Sequence, residues 1–238
     1  MMRQAQVQPL RQLETVSIVE ALEDDLERRV LDGDFQPGEH LREVELADEY
    51  AVGRHTLRAA FDGLVRRRLL ERARNRGVFV RALTVRDLSE IYELRTALEV
   101  QAFRTLAVRR VVPDAARDAV DRLRALDSRS PWRLVVESDL AFHRAIVLGA
   151  GNARLARAHE DLQSEILLCL AQLVHGYASV QQLTAEHAEL LRTIEGGRPG
   201  AAEAAIRDHL ERATAWLMER AATPHEVDAG ESGTTPAP

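Results

Sequence analysis

From Thr84 to about Ala222 the chain offers helical patterns and nothing else, and this constrains its fold more than any other feature. Apolar residues recur at helical spacing over 84–110, 114–127, 131–149, 152–175, 180–195 and 200–221. Ser130-Pro131, Asn152 and Ser179 supply starts, and Gly149, Gly176 and Gly196-Gly197 supply stops. Thr84 opens the first stretch with Asp87 three residues on, the spacing of a capping box. Amphipathic helices joined by short connections bury their apolar stripes against one another, which predicts an all-helical bundle over 83–222.

The region before it reads differently. Val19, Leu22, Leu26 and Val30 mark a helix ending at Gly33, and "QPGE" at 36–39 is a turn. "EVELADEY" is a short helix, "AVG" a tight break, and a further helix runs from Arg54 to about Arg68. Two short β-type runs then flank Asn75-Arg76-Gly77, a hairpin. Helix, helix, turn, helix and hairpin in that order predict a winged helix-turn-helix over 14–82. The fold class is therefore mainly α, a winged helix-turn-helix followed by a helical bundle. Residues 1–13 are expected to be flexible, and the polar, Pro/Gly-rich tail 223–238 disordered.

The net charge of -6 says nothing in favour of nucleic acid, but its distribution does. Between Arg54 and Arg81 nine arginines face two carboxylates, Asp62 and Glu71, a local balance of +7. Arg54 and Arg58 lie four residues apart near the start of the third helix, the part that enters the major groove in this architecture. A guanidinium there can bind guanine O6 and N7 or clamp phosphate. His55 and Thr56 lie beside them, while Leu57, Ala60, Phe61 and Leu64 form the core-facing stripe. Arg74, Arg76 and Gly77 in the wing turn are placed to reach backbone or minor groove. The expected partner is double-stranded DNA.

The segment "LDGDFQPGEHLREVELADEYAVGRHTLRAAFDGLVRRRLLERARNRGVFV" resembles the DNA-binding domain of the GntR superfamily of bacterial transcription regulators. Gly53 stands where that family has Ser, His55-Thr56 where Thr-Pro is common, and Ala59 where Glu is usual, while its Arg positions fall on Arg54 and Arg58. The helical half, with "IYELRTALE" and "DLAFH", is similar to the FadR-like branch and its FCD effector domain. The resemblance implies a homodimer reading a pseudo-palindromic operator.

"SDLAFHRAIVLGAGN" poses a separate question, because Asp139 and His143 share a helix face with Val135, Val136 and Ile146. Burying a carboxylate and an imidazole is costly unless something satisfies them. His187 lines up with Leu183, Leu190, Leu191 and Ile194, and His209 with Ala205, Ile206, Ala213 and Trp216. A single inward histidine is ordinary core chemistry. Three, with an aspartate at (i, i+4), point to a divalent transition metal, zinc foremost, with Ni, Mn, Co or Fe as the others such ligands suit. His159 and His175 lack so clean a setting. The FCD resemblance implies the same four positions, and it further implies a carboxylate-binding role for Arg95, which could instead make a surface pair with Glu99.

The chain is thus expected to be a transcription regulator whose helical domain binds a small organic acid at a metal-containing pocket. Two rivals share the ligand set: a metal-dependent hydrolase, and a metal sensor with no organic effector. Against the hydrolase, Glu186 and Asp208 point about 100° away from the ligands they adjoin, and no other general base is evident. Cys169, the single cysteine, reads as core filler, and the lack of disulfides fits a reducing compartment. No apolar run is long enough to span a membrane, and "MMRQAQVQPLRQLE" lacks the apolar stretch of a signal peptide. A cytoplasmic protein with no membrane partner is expected.

Overall fold

Ser17 starts the first helix, accepting the Glu20 N–H while the Glu20 carboxylate accepts the Ser17 N–H in a capping box. In this computed structural model, which describes residues 17–173 and 179–222, nine helices and three short strands are formed among those residues. They divide into two compact units, one up to Arg81 and one from Ala82 onward. The expectations for 1–13, the 223–238 tail, Gly176 and His175 lie outside the described residues.

The first unit holds α1 (Ile18–Asp32), β1 (His40–Leu41), α2 (Glu43–Glu49), α3 (Arg54–Arg66), β2 (Leu70–Ala73) and β3 (Gly77–Val80). Leu22, Leu26 and Val30 of α1 and Leu57, Phe61 and Leu64 of α3 are buried where the two helices pack together. The Glu23 carboxylate of α1 lies over Gly63 of α3, in the space a Cβ there would occupy. The hairpin forms as expected, but β1 was not foreseen. It pairs antiparallel with β3, His40 opposite Phe79, giving a sheet of order β1-β3-β2. Two residues are too few to show an alternation in sequence; their partner strand defines them.

The second unit is a bundle of α4 (Val85–Arg109), α5 (Asp114–Arg124), α6 (Trp132–Gly149), α7 (Ala153–Leu173), α8 (Val180–Glu195) and α9 (Pro199–Ala222). α4 runs along α9 and also touches α6, α7 and α8, while α5 lies on α6 and α8. Phe103, Leu106, Phe142, Ile146, Ile194 and Ile206 bring four of these helices into one core. The Thr84–Asp87 capping box forms, and the Asn152 and Ser179 side chains accept helix N–H groups. Ser130 differs: its hydroxyl turns to Asp127, and α6 begins after Pro131 without a side-chain cap. A proline at the N-cap supplies the fixed φ for a helix start on its own.

Candidate functional site

Three helices deliver the polar cluster. α6 brings Asp139 and His143 among Val135, Val136, Phe142 and Ile146, α8 brings His187 beside Leu190 and Leu191, and α9 brings His209 beside Ile206 and Leu210. All four are buried, and one donor atom from each lies within 4.8 Å of the others. Asp139 Oδ1 is 3.0 Å from His187 Nε2 and 3.7 Å from His143 Nε2, and the two Nε2 atoms are 3.3 Å apart. Cys169 is buried and lies outside this set.

The outer nitrogens explain the orientation. His143 Nδ1 donates to Glu99 Oε2 at 2.5 Å, His187 Nδ1 to the Leu183 carbonyl at 2.8 Å, and His209 Nδ1 to Glu186 Oε2 at 3.1 Å. A carboxylate or carbonyl accepts only, so each keeps its proton on Nδ1 and leaves the Nε2 lone pair facing the centre. Lone pairs aimed at one another at 3.3 Å repel unless a cation sits between them. A proton can serve, and so can a metal. Three imidazole nitrogens and a carboxylate oxygen, each with an outer hydrogen-bond partner, are the donor set of a transition-metal site. The residues fit the expected ion.

Charge follows the same geometry. Burial works to raise the Asp139 carboxyl, but the neighbouring His143 and His187 side chains outweigh it and hold it well below the usual range. Burial likewise opposes ionisation of Glu99, yet His143 and Arg95 keep it well below as well. Burial also opposes a charged His143, but Glu99 reverses the balance and raises it above 6.5. His209 has only a half-exposed carboxylate as partner, and burial lowers it to about 4. The hydrogen bond from His209 takes Glu186 down to about 2.

Arg95 is also buried, so the pair with Glu99 is an interior one rather than a surface one. Its Nε donates to Glu99 Oε1 at 2.7 Å and its guanidinium lies 5.2 Å from the Tyr92 ring centre. Its Nη2 is buried with no hydrogen-bond partner, an arrangement that calls for an acceptor. Arg95 lines a small, partly enclosed cavity together with Asp139, His143 and His209.

Glu99 and Glu186 were missed as site residues. Glu99 lies four residues after Arg95 on the face that carries Ala102, Phe103 and Leu106, and that placement could have signalled burial. Glu186 does point away from His187 on its own helix, as expected, but it reaches His209 across the α8–α9 contact. His159 is buried on α7, with Nε2 3.4 Å from Glu99 Oε1 and Nδ1 without a partner. Asp208 is exposed.

In the first unit, Arg54 and His55 are exposed at the first turn of α3 and Thr56 is half-buried beside them. Gly53 caps the helix without a side-chain bond. Arg58 is exposed on the same face as Arg54, and its Nε donates to Glu43 Oε2 at 2.6 Å. Arg74 and Arg76 are exposed at the hairpin tip, with the Arg76 guanidinium 5.6 Å from the Phe79 ring centre. Gly77 has φ of 104°, and a Cβ there would strike His40, which stacks on Phe79. Only glycine suits that position.

Residues 18–80 match the family of bacterial regulatory proteins, gntR family, and residues 90–212 match the FCD domain. The chain is 27% identical over 220 residues to the probable D-xylose utilization operon transcriptional repressor of Paenarthrobacter nicotinovorans, spanning 92% of this chain and 96% of that one. It is 43% identical over 134 residues to the Nta operon transcriptional regulator of Aminobacter aminovorans, 56% of this chain and 63% of the other. A solved transcriptional regulator GntR from Rhodococcus sp. RHA1 shares the fold at a TM-score of 0.74 and 24% identity, over 84% of this chain and 97% of that one. No described helix is long and apolar enough to cross a membrane. With its basic α3 and wing and its helical second unit, the chain belongs to the GntR family of bacterial regulatory proteins, a DNA-binding transcription regulator with an FCD domain.

Proposed function

We propose that this regulator responds to a small organic acid bound beside a divalent transition metal in the helical unit, zinc foremost. Asp139, His143, His187 and His209 hold the metal, which supplies a Lewis-acidic anchor for a carboxylate. Arg95 provides the second grip. The observation that carries this reading is the buried, unpartnered Arg95 Nη2 in the same cavity as the four donors. A bound carboxylate gives it the missing acceptor. The hydrolase reading needs a general base at the metal, whereas Glu99 and Glu186 are engaged on the outer nitrogens of the ligands.

At the other unit, Arg54, His55, Thr56 and Arg58 read the major groove, and Arg74, Arg76 and Gly77 contact the backbone or minor groove. A homodimer presents two such surfaces to a pseudo-palindromic operator in a cytoplasmic setting. The test is fluorescence anisotropy on promoter DNA with zinc-loaded protein and a panel of organic acids. The expected result is an acid that shifts operator affinity in the wild type and has no effect on His209→Ala, which still binds DNA. A response to metal alone, with none to any acid, would establish the metal sensor instead.

A further inference from the structure

The cavity next to the four donors has its polar groups in one cluster and apolar walls elsewhere. Among the described residues, Arg95, Asp139, His143, His209 and Tyr92 supply the charged, imidazole and hydroxyl groups of its lining, and the indole N–H groups of Trp132 and Trp216 are the other polar side-chain groups there. The remainder comes from four helices, including Trp132 and Val136 of α6, Leu170 of α7, Leu183 of α8, and Leu210 and Trp216 of α9. Arg95 is the single cationic side chain of that lining.

We infer that the acid bound here is a monocarboxylate with an apolar body, aryl or short alkyl, and that polyhydroxylated acids are excluded. This rests on the organic-acid reading above and narrows it. One guanidinium with a free Nη2 matches one carboxylate. Once that carboxylate sits at Arg95 and the metal ligands, the rest of the molecule meets indole rings and leucine side chains. Each hydroxyl pressed against the leucine and valine side chains or an indole face loses water and gains no partner, which lowers affinity roughly tenfold or more. Each methylene placed there gains roughly fourfold. Trp132 and Trp216 favour a flat ring, because aromatic faces stack without needing polar groups. The specificity therefore lies in the walls, and the anchor is indifferent to it.

The experiment is isothermal titration calorimetry on the zinc-loaded full-length chain with benzoate, hexanoate and gluconate. Benzoate or hexanoate is expected to bind at least about tenfold more tightly than gluconate. Trp132→Ala should shrink that gap without disturbing the fold, since Trp132 is 40% exposed at the start of its helix. Gluconate binding as well as benzoate and hexanoate would overturn the inference while leaving the organic-acid reading intact. A preference untouched by Trp132→Ala would remove the assigned wall. If no acid of any kind binds protein shown to contain zinc, the organic-acid reading itself fails, and the inference with it.

Discussion

Glu99 accepts Arg95 on one carboxylate oxygen and His143 on the other, so a change there reaches both the metal ligand and the anion grip. Glu99→Gln keeps the shape but removes the charge that holds the His143 proton on Nδ1. Metal affinity is expected to fall roughly 10- to 100-fold by calorimetry, with the helical spectrum retained; an unchanged affinity would mean the ligand orients itself. The histidines also define a pH dependence. His143 is raised, so its proton stabilises the metal-free fold below the ordinary imidazole range, and that contribution is lost as pH rises through the raised value. His209 is lowered to about 4, so its contribution is full above 6.5 and is lost as pH falls from there toward 4. Zinc bound there must therefore displace a proton at His143 and none at His209 at about pH 6, below the raised value of the first and above that of the second. Calorimetry in two buffers of different ionisation enthalpy should show proton release; buffer-independent heat would contradict it. The four buried residues of the proposed metal site were legible in the sequence because each breaks an apolar stripe on its own helix. Glu99 was legible only through the apolar face it shares with Ala102, Phe103 and Leu106, because its (i, i+4) pair with Arg95 by itself looks the same at a surface and in a core.

Among the elements, α3 and the wing carry the exposed arginines of the proposed DNA-reading surface. Arg54→Ala and Arg58→Ala are each expected to weaken specific operator binding by about 1–3 kcal/mol in anisotropy titrations, at an unchanged melting temperature. Full affinity in either variant would remove that residue from the interface. Gly77 combines a left-handed φ with the close approach of His40, so Gly77→Ala should cost about 1–3 kcal/mol in thermal unfolding; wild-type stability there would show that the hairpin can relax. The helices and hairpin could be read from periodicity and caps. β1 could not, since a two-residue strand exists only through its pairing with β3. The Arg58–Glu43 pair was hidden for a related reason: it joins two elements whose contact no local pattern encodes.

The whole molecule joins a gntR-type unit to an FCD unit, the proposed sensor, in one chain. Linkage requires reciprocity: an acid that weakens operator binding by a given factor must itself bind more weakly, by that factor, to the DNA-bound protein. The helical architecture and the order of the two units were readable because amphipathic stripes and turn residues are local signals. The cavity walls were not, because Leu170, Leu183 and Trp216 come together only when α7, α8 and α9 pack. The central claim is that the inward histidines hold a metal, and elemental mass spectrometry of untagged protein tests it most directly. The account predicts near-stoichiometric metal per chain that disappears in the His187→Ala, His209→Ala double variant. No metal in the wild type after incubation with Zn, Ni and Mn would contradict it.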